Sequence, residues 1–315
     1  MGQKLSPEER LVELDKFSDA LFNSSQWNDF GIDRSLQRYS GLNSNEVLDG
    51  YRDQVLYSGE FSDVETTVEK LGSALGGLTL VPNAVGLGAL VISMILETVG
   101  NALGKRTMGT AEMLQRVFAP EKANEVRDLM EEYLKRLQIN LGTPRLQVAE
   151  TRQIETDLSA QLTRLKNSML RDEHMNTWFL KQWVNGAAFH TQMLIHQARL
   201  EVAAGSRAMQ AAGLYQQQLN LILEKYKSYL QTVIYVHKDH DMINAICCLT
   251  YEENKIFDFP VDCFPARGDC KFSRSEIVET MFSKHHFTWA KSYFSDLAAN
   301  IPTLVNQHGT FRVKI

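Results

Sequence analysis

Cysteine and histidine residues in the last quarter of the chain are the first candidates for chemistry, because thiolate and imidazole groups bind zinc. The residues concerned are Cys247, Cys248, Cys263, Cys270, His237 and His240. Structural zinc sites usually pair ligands two to four residues apart, and only the two histidines have that spacing. Adjacent residues of a strand point to opposite faces, so Cys247 and Cys248 do not suit one ion. We therefore predict no metal and no cofactor; buried thiols, or one or two disulfides in an exported chain, both remain open.

The other histidines give no sign of a catalytic site. His190 and His196 share one helical segment, and His285 and His286 share another, but none belongs to a recognisable nucleophile motif. The glycine pair in the segment 86–88 lacks the third glycine and the acidic residue of a dinucleotide-binding loop. The sequence therefore predicts no catalytic residue, no enzyme activity and no small-molecule substrate.

The amino terminus fits two interpretations. Gly2 and Ser6 match the pattern for N-myristoylation. Ser6, Pro7 and Glu9 also form a helix start, with a serine N-cap, a proline at the first helical position and a capping box. A single myristoyl chain gives only marginal membrane binding, so acylation at Gly2 would need a second membrane signal.

Residues 71–96 form a run without any charged side chain, between Lys70 and Glu97. The run is long enough by count to cross a bilayer, which takes about 20 apolar residues. We predict that this run enters lipid. The candidate membrane-insertion residues are Leu78, Leu80, Val81, Val85, Leu87, Leu90, Val91, Ile92, Met94, Ile95 and Leu96.

Pro82 divides the run, because proline removes a backbone donor and clashes with the preceding helical turn. The resulting prediction is an apolar helical hairpin over residues 64–104. Small residues four apart let helix backbones approach closely, and two glycine pairs of the hairpin have this spacing: Gly72 with Gly76, and Gly100 with Gly104. The alternative interpretation is a hairpin buried in the core of a helical protein, apolar all round because other helices surround it.

Long amphipathic helices are predicted after the hairpin, over residues 113–141, 145–170, 178–204 and 207–231. One of them, 145–170, has the apolar spacing of a coiled coil. On the last, we expect a buried face made of Leu214, Leu219, Ile222, Tyr226 and Leu230. The short breaks between the helices favour an elongated antiparallel bundle.

The periodicity changes after residue 231. Three short runs rich in β-formers lie at residues 232–236, 245–251 and 255–259. A single further helix is predicted over 273–299. The sequence thus predicts a mainly α protein with two domains, the helical bundle 1–231 and a small α+β domain 232–315.

Composition narrows the functional classes. The 315-residue chain has a net charge of −5, and its lysines and arginines do not gather into a basic stripe, so we expect no nucleic-acid partner. The polar, charged beginning does not match a secretory signal, which favours a cytoplasmic protein with membrane association.

In its plan, a glycine-rich apolar hairpin followed by long amphipathic helices, the chain resembles α-helical pore-forming proteins and is also similar to the apolipoprotein-L type. The resemblance covers residues 64–231 and is architectural. It implies a helical bundle that exposes its hairpin at a membrane and in some cases oligomerises. The predicted function is therefore non-enzymatic membrane interaction, with lipid and further copies of the chain as partners. The alternative is a soluble, self-assembling structural or interaction protein whose hairpin is buried core.

Overall fold

The computed structural model describes residues 6–22, 32, 36, 41–43, 46–47, 50, 125–140, 143–240, 245–252, 256–260 and 272–306. This part of the chain is mainly helical. Its helices are α1 (Pro7–Phe22), α2 (Glu125–Ile139), α3 (Pro144–Arg171), α4 (Thr177–Leu200), α5 (Ser206–Val233), α6 (Arg274–Ser283) and α7 (His285–Val305). The predicted hairpin 64–104 lies outside the described residues.

Three strands follow α5. They are β1 (Ile234–His240), β2 (Ala245–Glu252) and β3 (Ile256–Pro260). Both pairings are antiparallel, with β2 in the middle. In the register, Val236 lies opposite Leu249, and Leu249 in turn lies opposite Phe259.

The structure does not support the predicted C-terminal α+β domain. The chain divides into two compact units, the first made of residues 1–31, 167–180 and 218–292, and the second of residues 32–166, 181–217 and 293–315. The strands and α6 therefore group with α1. Most of α7 belongs to the second unit, because its apolar face is buried in that unit's core.

Helix breaks differ from the sequence prediction near the C-terminal end. The single helix expected over 273–299 is two helices, because Lys284 is extended, with φ −68° and ψ 153°. The first of the two, α6, begins with a capping box between Ser273 and Glu276. The capping box predicted for α1 is confirmed: Ser6 N–H donates to Glu9 Oε2 at 2.8 Å, and Glu9 N–H donates to Ser6 Oγ at 3.2 Å.

In the first unit, ion pairs attach α1 to α6 and to the residue after it. Arg10 Nη2 lies 2.5 Å from Glu276 Oε1, and Lys284 Nζ lies 2.5 Å from Asp15 and 2.8 Å from Asp19. The hydrogen bond from Arg10, together with that from the Ser273 backbone, lowers the pKa of Glu276 to about 2. Behind these pairs lies an aromatic cluster, in which the rings of Phe282 and Phe287 stack at 4.3 Å and Tyr226 packs against both.

The second unit has a core made by α4, α5 and α7. Its buried residues are Leu194, Ile195, Ala198, Ala208, Ala212, Leu297, Ile301, Leu304 and Val305. Glycines allow close approach at two points. A Cβ on Gly186 of α4 would lie 2.7 Å from Val126 and 2.8 Å from Leu162, and one on Gly205, where φ is +74°, would lie 2.8 Å from Val305. Neither position therefore accepts a larger side chain without displacing its neighbours.

Helix α5 shows one error in the predicted core. Leu219, Ile222, Tyr226 and Leu230 are fully buried as expected, but Leu214 is 51% exposed. Tyr215 takes the inward position instead, because it continues the three- and four-residue spacing of the buried face toward the N-terminal end of the helix.

The turn between α4 and α5 contains a strained valine. Ala203 N–H donates to Ala198 O at 2.8 Å and Val202 N–H donates to Arg199 O at 3.2 Å, which is the Schellman pattern of a helix C-terminus. Val202 therefore occupies the left-handed position that usually holds glycine, with φ +54°, and its side chain is 84% exposed. A β-branched residue pays a steric cost there without gaining burial.

Replacing Val202 by glycine or asparagine should therefore stabilise the protein. Relief of a left-handed conformation is worth about 1–2 kcal/mol, and the added freedom of glycine in the unfolded chain offsets about 0.5–1 kcal/mol. Urea denaturation of Val202→Gly should show a gain of about 0.5–1 kcal/mol in the free energy of unfolding. The matched control is Ala203→Gly, where φ is not positive and a loss is expected; equal effects of the two substitutions would contradict the assignment of strain to Val202.

Candidate functional site

A buried network of polar side chains joins α3, α4 and α5 in the second unit. His190 Nε2 lies 3.1 Å from Glu155 Oε1, and Tyr215 Oη lies 2.9 Å from His190 Nδ1. All three residues are at most 7% exposed. This network reaches the surface at Arg207. Its Nη2 lies 3.2 Å from both carboxylate oxygens of Glu155, and its side chain is 61% exposed.

Glu155 carries a compensated buried charge. Burial alone would raise the pKa of its carboxyl group, but the hydrogen bond with His190 and the positive charge of Arg207 outweigh that effect and lower the pKa. The carboxylate form is therefore the one that the folded protein stabilises.

Tyr215 sits in an apolar surrounding. Its ring meets Trp183 edge-on at 5.8 Å and lies 6.0 Å from Phe294. Burial raises the pKa of its hydroxyl group, and the negative charge of Glu155 raises it further. The hydroxyl therefore stays protonated and serves as a hydrogen-bond partner of His190.

The arrangement of hydroxyl, imidazole and carboxylate is that of a proton relay in nucleophilic catalysis. Here the hydroxyl belongs to Tyr215, which is 6% exposed, so a substrate has no direct access to it. This network of polar side chains is better suited to holding three helices in one arrangement, because each of its members makes a hydrogen bond to a residue on another helix.

A second polar group lies further along α4, at Gln192, His196 and Arg199. Within the described part of the chain, both amide atoms of Gln192 and both ring nitrogens of His196 are buried without a hydrogen-bond partner. Burial lowers the pKa of His196 to about 3, and the positive charge of Arg199 adds to this effect. Burial also lowers the pKa of Arg199 to about 10, and its Nε donates to Leu304 O at 2.7 Å.

The candidate residues from the sequence fall mostly outside the described residues. These are Gly2, Gly72, Gly76, Gly100, Gly104, Cys263, Cys270 and every candidate membrane-insertion residue between Leu78 and Leu96. No helix in the described part of the chain combines the length and the hydropathy that a bilayer crossing requires.

The cysteines of β2 lie opposite residues of β1, with Cys248 facing His237 and Cys247 facing Lys238 in the register. His240, at the end of β1, lies opposite Ala245. Over the described residues, no three histidine, cysteine, aspartate or glutamate residues form a group that could hold a metal ion.

The helical spacing places His190 and His196 on one helix, but it does not reveal that Glu155 and Tyr215 are the partners of His190. A usable signal was present for Glu155, because it lies on the same helical face as Thr151, Leu158 and Leu162, where a charged residue interrupts an apolar stripe. Comparisons with known proteins return no match, whether to family models, to curated proteins or to solved structures.

Removing the charge of Glu155 should destabilise the protein in a pH-dependent way. Glu155→Gln leaves the buried His190 and the more exposed Arg207 without their charged partner, so we expect a loss of about 1–3 kcal/mol near neutral pH. Because the folded pKa of Glu155 is lowered, this contribution is complete above its unfolded pKa of about 4.3 and disappears as the pH falls through the lower folded value.

Urea denaturation near neutral pH and in acid measures this difference. The wild type and Glu155→Gln should converge in acid, whereas Glu224→Gln, at an exposed position of α5, should match the wild type throughout. A constant gap between wild type and Glu155→Gln at every pH would show that the charge of Glu155 is not the cause.

Proposed function

We propose that this chain is a non-enzymatic, membrane-interacting helical protein that inserts the run 71–96 into lipid, as a pore-forming or membrane-remodelling protein does. The observation that carries the proposal is the absence of any charge between Lys70 and Glu97. One buried charge at the centre of a bilayer costs about 2.5–3.5 kcal/mol, so a run of this length without any charge meets the main requirement for insertion.

The mainly helical character of the described residues supports the same proposal. We infer an elongated antiparallel bundle in which α3, α4 and α5, of 28, 24 and 28 residues, accompany the apolar hairpin. A hairpin that is covered by amphipathic helices in water can exchange those helices for lipid, because both environments are apolar. The protein is inferred to work in the cytoplasm, at a membrane surface.

Two further features belong to this proposal. Myristoylation of Gly2 would add a second membrane signal to that of the hairpin. The glycine pairs Gly72 with Gly76 and Gly100 with Gly104 would bring hairpins of several copies into close contact, which gives a homo-oligomer in the membrane.

Vesicle flotation tests the proposal. The full chain is mixed with phosphatidylcholine vesicles, with or without phosphatidylserine, and the lipid-bound fraction is measured for the wild type and Leu90→Asp. An aspartate in the apolar run should weaken lipid binding about 100-fold, from an insertion cost of about 3 kcal/mol.

The matched control is Leu221→Asp, which makes the same change at a leucine that is 61% exposed on α5. It should float like the wild type. Equal flotation of Leu90→Asp and the wild type would refute insertion of the run, and absence of flotation in the wild type would refute membrane interaction under these conditions.

A soluble, self-assembling interaction protein is the second candidate, and exposed apolar residues favour it. Ile139 and Leu146 flank the turn between α2 and α3 and are 71% and 49% exposed. Large apolar side chains exposed at a surface are candidates for protein contacts. In this case the run 71–96 would be core, and copies of the chain would associate without lipid.

Light scattering after size-exclusion chromatography in detergent-free buffer distinguishes this candidate. The wild type should form one oligomer of defined mass, and the double variant Ile139→Lys, Leu146→Lys should shift it to the monomer. Leu221→Lys is the control with an exposed leucine elsewhere, and a monomeric wild type would exclude the second candidate.

A further inference from the structure

His196 is a buried histidine whose ring has no hydrogen-bond partner on either nitrogen within the described residues. It lies near the C-terminal end of α4 and is 2% exposed. A neutral imidazole in such a place already loses the hydrogen bonds that water would give it. An imidazolium would lose more, because it carries two donors and a charge.

The charge that bears on His196 is that of Arg199. Residues three apart on a helix share one face, and Arg199 is itself only 4% exposed, with its Nε held by the Leu304 carbonyl of α7. Protonation of His196 would therefore place a second positive charge beside a buried guanidinium group.

Three carboxylates of α3 and α4 are engaged in ion pairs elsewhere, and Asp157 of α3 and Asp296 of α7 are exposed. Described ion pairs join Glu150 of α3 to Arg136 of α2, Glu155 of α3 to Arg207 of α5, and Glu201 at the end of α4 to Arg152 of α3. From α7, the group that reaches this part of α4 is the backbone carbonyl of Leu304. No carboxylate among these described contacts neutralises an imidazolium at His196.

We propose that His196, which shares a helix face with the Arg199 that α7 holds, is an acid-sensitive lock on the packing of α4. Above about pH 6.5, the ring is neutral and the face closes. Between about pH 6.5 and pH 5, uptake of one proton by His196 favours a state in which this face is open and the imidazolium and Arg199 are hydrated.

The direction of the effect follows from proton linkage. The ring has a folded pKa of about 3, and an exposed histidine has one of about 6.5. A lowered histidine pKa contributes stability that is complete above the exposed value and is lost as the pH falls below it. Well below pH 6.5, one proton taken up on opening raises the opening equilibrium constant about tenfold per pH unit. Because an exposed histidine is already half protonated at about pH 6.5, the rise from pH 6.5 to pH 5 is about 15-fold.

Glu155 and Glu276 do not obscure this window. The lowered pKa values of Glu155 and Glu276 move their own acid effects below the ordinary glutamate value of about 4.3. The lock is also independent of lipid, because it is a property of the second unit in water. A result that refutes the role of His196 would leave the membrane proposal standing, and a result that refutes membrane insertion would leave the role of His196 standing.

Urea denaturation of the full chain at about pH 7.5, 6.5 and 5 tests the proposal. The wild type should show an increase of about 15-fold in the unfolding equilibrium constant between pH 6.5 and pH 5, and His196→Gln should lose most of it. His174→Gln, at an exposed histidine in the loop between α3 and α4, is the matched control and should retain the wild-type dependence. Identical pH dependence of the wild type and His196→Gln would overturn the proposal.

A measurement on the wild type keeps the test valid if His196→Gln does not fold. The proposal expects the Cε1–H NMR signal of His196 to keep its neutral shift for as long as the folded signals of α4 persist. It also expects hydrogen exchange to rise in acid, after correction for the intrinsic rate, first in the segments 190–200 and 297–305. A His196 ring that titrates near pH 6.5 in the folded chain would overturn the lock.

Discussion

The carboxylate of Glu155 is the constraint that organises the second unit. A buried carboxylate is costly unless opposite charges and hydrogen-bond donors compensate it. Here the partners lie 35 and 52 residues further along the chain, on two other helices. Helix α3 can therefore bury its face only where α4 supplies His190 and α5 supplies Arg207, and Tyr215 completes the set. The apolar core around these four polar residues provides stability, while their polar contacts select one arrangement of the helices.

Close packing of α4 has a consequence for its own polar residues. Gly186 lets the helix lie directly against Val126 and Leu162, and Gly205 admits the end of α7 close to the following turn. Most of α4 is buried, including Gln192 and His196, which have no hydrogen-bond partner within the described residues. Buried polar groups without a partner are uncommon in proteins, and they mark places where a structure gains sensitivity at the cost of stability.

The first unit is held together differently. The ion pairs of Arg10 and Lys284 with carboxylates involve partly exposed side chains, and pairs of this kind contribute little each. The aromatic packing of Phe282, Phe287 and Tyr226 supplies the apolar contact beneath them. The attachment of α1 is therefore more dependent on salt concentration than the buried charge network of the second unit.

The sequence by itself determined what depends on residues within about four positions of each other. The capping box of Ser6 and Glu9, the mainly helical class and most of the buried face of α5 all follow from such local spacing, and the structure has them. Tertiary contacts decided the rest. Tyr215 replaced Leu214 in the core, the helix over 273–299 broke at Lys284, whose side chain reaches α1, and Glu155 found its partners on two distant helices. Such choices depend on which surfaces meet after the chain has folded, and local spacing carries no information about distant partners.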